Sequence, residues 1–116
     1  REEREWRKFL DEVVAMNYDI LITEFDVNDQ ALPGDISARD RSVADYAQAY
    51  FEVMLDYPQL KDVLAWGMCD SYSWLQEFKP LRTDGLAKRA CPYSADFAPK
   101  PLHSKLAAAL QTASAR

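Results

Sequence analysis

Two carboxylate residues close together are the first candidates for chemistry in this chain. Glu24 and Asp26 end the short apolar segment 19–27. Their spacing of two residues directs both side chains to the same side of a strand. A carboxylate at the carboxyl end of a buried parallel strand lies where α/β barrels assemble their active sites. Glu24 is therefore a candidate catalytic residue, and the simpler alternative is a solvated charge at the start of a loop.

Two tryptophans supply a second candidate feature. Trp66 lies in another apolar segment, 63–68, and Trp74 follows in the polar loop 69–75. Flat aromatic rings bury the C–H faces of sugars at a low cost in conformational entropy. Two core tryptophans are the alternative, but the polar residues around them favour a binding surface. We therefore predict that Trp66 and Trp74 bind a carbohydrate beside the carboxylates.

The elements that position these residues alternate along the chain. Strands that alternate with helices favour an α/β fold with a parallel sheet and right-handed crossovers. Both strands are apolar almost throughout, as in strands that are buried on both faces. The first predicted elements are a helix over 2–17, a strand over 19–27 and a loop over 28–40. A helix capped by Ser42 then runs to about Leu55, followed by a strand over 63–68 and an irregular segment over 76–100. The last element is a helix over 102–112, and Pro101 suits its first turn.

Composition excludes several classes of protein. The 116 residues carry 14 basic and 19 acidic side chains, a net charge of −5, so the chain lacks the basic stripe that binds nucleic acid. No apolar run approaches the roughly 20 residues that span a bilayer, so a membrane is not an expected partner. One histidine and two cysteines are too few for a zinc site. Cys69 and Cys91 either form one bridge or remain free thiols.

Three motifs together resemble a known family. Residues 22–27, Ile-Thr-Glu-Phe-Asp-Val, are similar to the nucleophile motif of glycoside hydrolase family 10, with Phe25 in place of the usual Leu. Residues 66–74 resemble its second hallmark, which opens with Trp-Gly and closes with Ser-Trp. Residues 89–102 resemble its closing segment. The resemblance covers essentially the whole chain. It implies the C-terminal part of a (β/α)₈ barrel, from helix six through strand seven, helix seven and strand eight to helix eight.

The resemblance also implies a function, that of a retaining endo-β-1,4-xylanase acting on xylan or xylo-oligosaccharides. Glu24 would be the nucleophile, and Asp26 would support a strand-six histidine that contacts it. Trp66 and Trp74 would line the subsite of the sugar being cleaved. The family implies no metal and no organic cofactor. Because polymeric xylan cannot enter cells, a secreted or periplasmic location is expected by the same analogy.

Part of the catalytic apparatus is absent from the sequence. A retaining glycosidase needs a second carboxyl group as acid/base, and the Asn-Glu pair that carries it in the family does not occur here. Asp70 is expected to be a structural hydrogen-bond acceptor, not a replacement acid. A complete barrel takes roughly 250 residues. We therefore expect residues 1–116 to be one segment of a single catalytic barrel, without a second domain and inactive alone.

The partner, the kind of function and the substrate remain open at this point. The chain pairs with the missing N-terminal portion of the barrel, or it associates with itself through its strand edges. It is derived from a xylanase, or it is a non-catalytic remnant that binds carbohydrate or another partner. A barrel acting on a different β-1,4-glycan would carry the same residues.

Overall fold

Helices and strands alternate along the chain, as the sequence predicts. The computed structural model describes residues 2–114. The elements are α1 (Glu2–Ala15), β1 (Ile20–Phe25), α2 (Ile36–Met54), β2 (Leu60–Ala65) and α3 (Pro101–Ser114), with single-turn 3₁₀ helices over Asp70–Tyr72 and Trp74–Gln76. The predicted α/β class is confirmed.

The sheet consists of β1 and β2, which pair in parallel and are connected through α2. Ile20 lies opposite Leu60, and Phe25 lies opposite Ala65. Beyond the paired ends, the backbone N–H of Trp66 donates to the carbonyl oxygen of Phe25 over 2.9 Å. Because the strands run in the same direction, the residues that follow each of them meet at one edge of the sheet.

The second strand lies three residues earlier than predicted. The sequence indicates 63–68, but β2 spans Leu60–Ala65. Its start is fixed by pairing with β1 and by a turn in which the N–H of Leu60 donates to the carbonyl oxygen of Tyr57 over 3.0 Å. Gly67 adopts a φ of +96°, which turns the chain out of the extended conformation. Trp66 therefore lies just beyond the strand instead of within it.

The start of α2 also differs from the prediction. The helix begins at Ile36, and its cap is Asp35, whose carboxylate accepts from the N–H of Ala38 over 2.9 Å. Ser42 lies inside the helix and is exposed. The turn at Pro33-Gly34 ends at Asp35, and the carboxylate directly after the turn caps the helix.

The core lies between the sheet and the helices α1, α2 and α3. Helix α2 supplies more of it than any other element, and the buried members are Leu10, Ile22, Phe25, Val27, Val43, Ala47, Phe51, Val53, Met54, Tyr57, Leu60 and Leu102. In this chain, without neighbouring barrel strands, the two strands are not buried on both faces, because Leu21 is 57% exposed and Leu64 is 51% exposed. Within residues 2–114 the sheet is covered on one side, and its other apolar side faces solvent.

Two further expectations concern α1 and membranes. Asn17 adopts a φ of 63° just after α1, which agrees with its predicted role as the helix stop. Among the helices in residues 2–114, none combines the length and the apolar character needed to cross a bilayer.

Candidate functional site

The candidate site lies where β1 and β2 end. Glu24 is the penultimate residue of β1 and has an exposed side chain, and Asp26 follows the strand in a half-buried position. Trp66 follows β2, and its backbone hydrogen bond to Phe25 holds it beside the end of β1. Trp74 begins the second 3₁₀ helix. The parallel pairing and the loop after β2 therefore place all four predicted site residues around one end of the sheet.

The most direct contact in the site joins Asp26 to Trp74. The indole N–H of Trp74 donates to Oδ2 of Asp26 over 2.8 Å. Burial raises the pKa of Asp26 above its ordinary value, and the nearby charge of Glu24 adds to the rise, whereas the Trp74 hydrogen bond lowers it. Burial therefore disfavours the charged form of this carboxylate, and the hydrogen bond from Trp74 favours it.

The histidine of this chain does not serve Asp26. His103 lies on α3 and packs edge-on against Tyr93, with ring centroids 5.1 Å apart. The family resemblance implies that Asp26 supports a histidine from another barrel strand. Within residues 2–114, the donor that the structure places on Asp26 is Trp74, a pairing that the sequence analysis missed.

Both tryptophans remain accessible. Trp66 is 47% exposed and Trp74 is 46% exposed, so neither is a core residue within residues 2–114. One side of Trp74 packs on Phe78, with ring centroids 4.5 Å apart. The ammonium of Lys88 lies 5.6 Å from the centroid of the Phe78 ring. An indole held in place yet accessible to solvent has the properties that a sugar-stacking residue needs.

Residues 87–91 hold the segment that follows β1 through hydrogen bonds, a role that the sequence does not predict. The N–H of Val27 donates to the carbonyl oxygen of Ala90 over 3.3 Å. Both carboxylate oxygens of Asp29 accept from the N–H of Arg89, each over 3.0 Å. Asp29 is fully buried and lies 3.3 Å from the guanidinium of Arg39. We call residues 87–91 the bridging segment.

The same bridging segment holds the loop that carries Trp74. The side chain of Gln76 donates to the carbonyl oxygen of Lys88 over 2.7 Å and accepts from the Lys88 N–H over 3.0 Å. The N–H of Cys91 donates to Asp70 over 2.9 Å. Asp70 also forms a buried ion pair with Lys100, again over 2.9 Å. Asp70 is thus a structural acceptor, as predicted, and the bridging segment connects the carboxylate side of the site to the tryptophan side.

The two cysteines are free, so the bridged alternative is wrong. Both are buried, and the thiol of Cys69 donates to the carbonyl oxygen of Ser94 over 3.2 Å. Burial and then the charge of Asp70 raise the pKa of Cys91 to about 11, so this thiol stays protonated at neutral pH. Over residues 2–114 the structure contains no group of three His, Cys, Asp or Glu side chains that could hold a metal ion.

The motifs agree with a comparison against protein families. The model of Glycosyl hydrolase family 10 matches residues 1–109. The chain belongs to this family. Among curated proteins, endo-1,4-beta-xylanase 5 of Pyricularia oryzae is 30% identical over 112 residues, which cover 94% of this chain and 24% of the relative. The chain thus spans about a quarter of the length of that family 10 relative.

Solved structures agree with the assignment to family 10. Native xylanase 10B from Thermotoga maritima has a TM-score of 0.82 at 25% identity, covering 98% of this chain and 34% of that one. Xylanase 10B from Thermotoga petrophila RKU-1, in complex with xylobiose, has a TM-score of 0.81 at 25% identity, covering 97% and 32%. These neighbours are family 10 (β/α)₈ barrels, and the present chain is an α/β fragment that matches about a third of such a barrel.

Proposed function

We propose that residues 1–116 are the C-terminal part of the catalytic barrel of a retaining endo-β-1,4-xylanase and that Glu24 is its nucleophile. The observation that carries the proposal is the cluster at the ends of β1 and β2, where exposed Glu24 adjoins an Asp26 carboxylate that is bound by Trp74. The relatives named as xylanases support xylan or a xylo-oligosaccharide as the substrate.

The order of elements supports a position within the barrel. A parallel pair joined through α2 is one β-α-β unit, and barrels repeat this unit. We assign α1 to helix six, β1 to strand seven, α2 to helix seven, β2 to strand eight and α3 to helix eight. In this assignment Glu24 and Trp66 lie at the catalytic face, because barrel active sites form at the carboxyl ends of the strands.

The proposed reaction is a double displacement. The carboxylate of Glu24 attacks the anomeric carbon, the bond to the leaving sugar oxygen breaks, and a covalent glycosyl-enzyme ester forms. Water then attacks the same carbon and releases Glu24, so two inversions give net retention. Trp66 and Trp74 stack against the sugar during both steps. A secreted or periplasmic location follows from a polymeric substrate.

Protonation of the leaving oxygen requires a second carboxyl group about 5–5.5 Å from the nucleophile. Asp26 is unsuitable, because it lies only two residues from Glu24 in the sequence and its carboxylate is engaged by Trp74. Asp70 is unsuitable as well, because it is buried in an ion pair with Lys100. The acid/base group therefore comes from outside residues 1–116, and this chain alone does not hydrolyse xylan.

A hybrid barrel tests the proposal. Residues 1–116 replace the matching third of Thermotoga maritima xylanase 10B, and the hybrid is assayed on xylan. We expect hydrolysis with retention, and Glu24→Gln should lower kcat by about a thousandfold or more, since a covalent nucleophile is lost. Glu12→Gln, which changes an exposed glutamate on α1, is the matched control and should leave kcat unchanged.

A mechanism-based label identifies the nucleophile directly. A 2-fluoro xyloside with a good leaving group should attach to the peptide that contains Glu24, as read by mass spectrometry. Labelling of another carboxylate, or inverted product, would refute the assignment. Hydrolysis of xylan by the isolated chain, abolished by Glu24→Gln, would refute the external acid/base.

A second candidate function is carbohydrate binding without catalysis, which the exposure of Trp66 and Trp74 favours. Calorimetric titration of the isolated chain with xylohexaose distinguishes it. Binding to the chain together with an inactive hybrid would support the binding function, whereas an active hybrid supports the enzyme.

A further inference from the structure

We propose that Trp74 is a positioning residue, whose indole N–H fixes the Asp26 carboxylate beside Glu24, in addition to any contact of its ring with sugar. The inference rests on the proposed function for the role of Glu24. The geometry that carries it is the hydrogen bond of 2.8 Å from Nε1 of Trp74 to Oδ2 of Asp26.

The indole is held in place by its own loop. Trp74 begins a 3₁₀ helix that is capped by Ser73, whose hydroxyl accepts from the N–H of Leu75 over 3.2 Å. Leu75 is buried, and Gln76 is bound at both ends of its amide by Lys88. The backbone on both sides of Trp74 is thereby fixed, so its N–H is a preorganised donor and not a mobile surface group.

Asp26 needs such a donor. Its carboxylate is half-buried, and the groups around it are Glu24 from β1, Cys91 from the bridging segment and Trp74 from the loop after β2. Glu24 repels its charge, and the thiol of Cys91 stays neutral. The Trp74 N–H counteracts both burial and repulsion, because a hydrogen bond to the charged form of a carboxylate stabilises that form.

One side chain therefore serves two tasks. The face of the ring is the part that sugar stacks on, and the edge with the N–H holds the carboxylate. Replacement by phenylalanine separates the tasks, because the ring remains and the donor is removed. A purely stacking role for Trp74 would be preserved largely by Trp74→Phe, but a positioning role would not.

Nuclear magnetic resonance of the 116-residue chain tests the contact without any assay of activity. The chain has three tryptophans and so three indole N–H signals. We expect the Trp74 signal to shift with pH at the midpoint of Asp26, and the Asp26→Asn variant to abolish that transition. The Trp6 indole, which donates to the sulfur of Met54, is the internal control and should not follow Asp26. A Trp74 signal that ignores pH, or that titrates unchanged in Asp26→Asn, would overturn the proposal.

The hybrid barrel provides a second, independent measurement. Trp74→Phe should lower kcat by about tenfold or more, the loss expected for one hydrogen bond to a charged group, with a smaller change in KM. Trp6→Phe removes an indole N–H from α1 and should leave both constants unchanged. A change confined to KM in Trp74→Phe would contradict the positioning role. If the hybrid is inactive, the proposed function fails while the titration of the isolated chain still decides this contact.

Discussion

At the scale of single residues, several charged side chains of this chain are buried. Asp29, Arg39, Asp70, Lys88 and Lys100 are all buried, although charged side chains are seldom buried unless they are paired. Asp29 pairs with Arg39 and Asp70 pairs with Lys100, whereas the ammonium of Lys88 donates to a backbone carbonyl oxygen. Because an unpaired buried charge costs far more than a solvated one, these pairs should be highly sensitive to loss of one member.

Loss of Lys100 should destabilise the fold severely. Lys100→Met removes the cation that faces Asp70 and also breaks its hydrogen bond to the carbonyl oxygen of Arg89. We expect a loss of about 3–5 kcal/mol in the free energy of unfolding, since Asp70 would stay buried without a counterion. Urea unfolding followed by circular dichroism measures it. Lys61→Met, at an exposed site, should change stability by less than about 0.5 kcal/mol, and equal losses would contradict the argument.

Asp84 should make stability depend on acidity. The Arg82 guanidinium, with the Leu86 N–H, lowers the pKa of Asp84 from 3.8 to about 2. A carboxyl whose pKa falls on folding stabilises the native state above its ordinary pKa, and that contribution is lost as pH falls from 3.8 towards 2. Asp84→Asn should therefore be less stable than the parent at pH 7, and the difference should shrink steadily as pH falls from 3.8 through 2. Thermal unfolding across this range is the measurement, and a difference that does not shrink would argue against the ion pair.

At the scale of elements, the start of α2 offers a clear test. Asp35→Ala removes the cap on Ala38 and should cost about 1 kcal/mol. Ser42→Ala, inside the same helix and exposed, should be neutral or slightly stabilising because alanine has the higher helix propensity. The free energy of unfolding of both variants decides between the two residues. A larger loss in Ser42→Ala would restore the start that the sequence suggests.

The elements that the sequence predicts correctly are those specified by nearby residues. The apolar run of β1, the Asn17 stop of α1 and the first turn of α3 at Pro101 depend on local chemistry. The position of β2 depends on register with β1, which is a long-range choice. The four candidate site residues are predicted from their distinctive types and spacing, and the structure places them around one end of the sheet.

The contacts that hold the site were not found from the sequence, for a physical reason. Asp29 and Arg89 lie 60 residues apart, and the bridging segment has neither helical nor strand periodicity. Pairing between irregular segments leaves no repeating pattern to read. The counts of acidic and basic residues give the net charge of the chain but not which charges meet.

At the scale of the whole molecule, the sheet that is covered on one side leaves an apolar surface exposed. Leu21 and Leu64 on the strands and Met68 beyond β2 are each more than half exposed. We expect the 116-residue chain to bind a hydrophobic dye, since such patches are sites of association. The hybrid barrel should give little dye fluorescence under the same conditions, because other strands would cover these residues. A monomeric chain that is dye-silent and unfolds sharply would contradict this expectation and favour a self-sufficient fold.

The bridging segment also determines where foreign peptide can be accommodated. Residues 83–86 form an exposed turn, and an added Cβ at Gly85 would meet no atom within 4 Å. An affinity tag grafted there would extend into solvent. A single residue inserted after Arg89 would instead shift the contacts of Val27 and Asp70 out of step with those of Asp29 and Gln76. For protein engineering, a permissive graft point therefore lies within six residues of one where a minimal insertion would disturb the contacts on both sides of the proposed site.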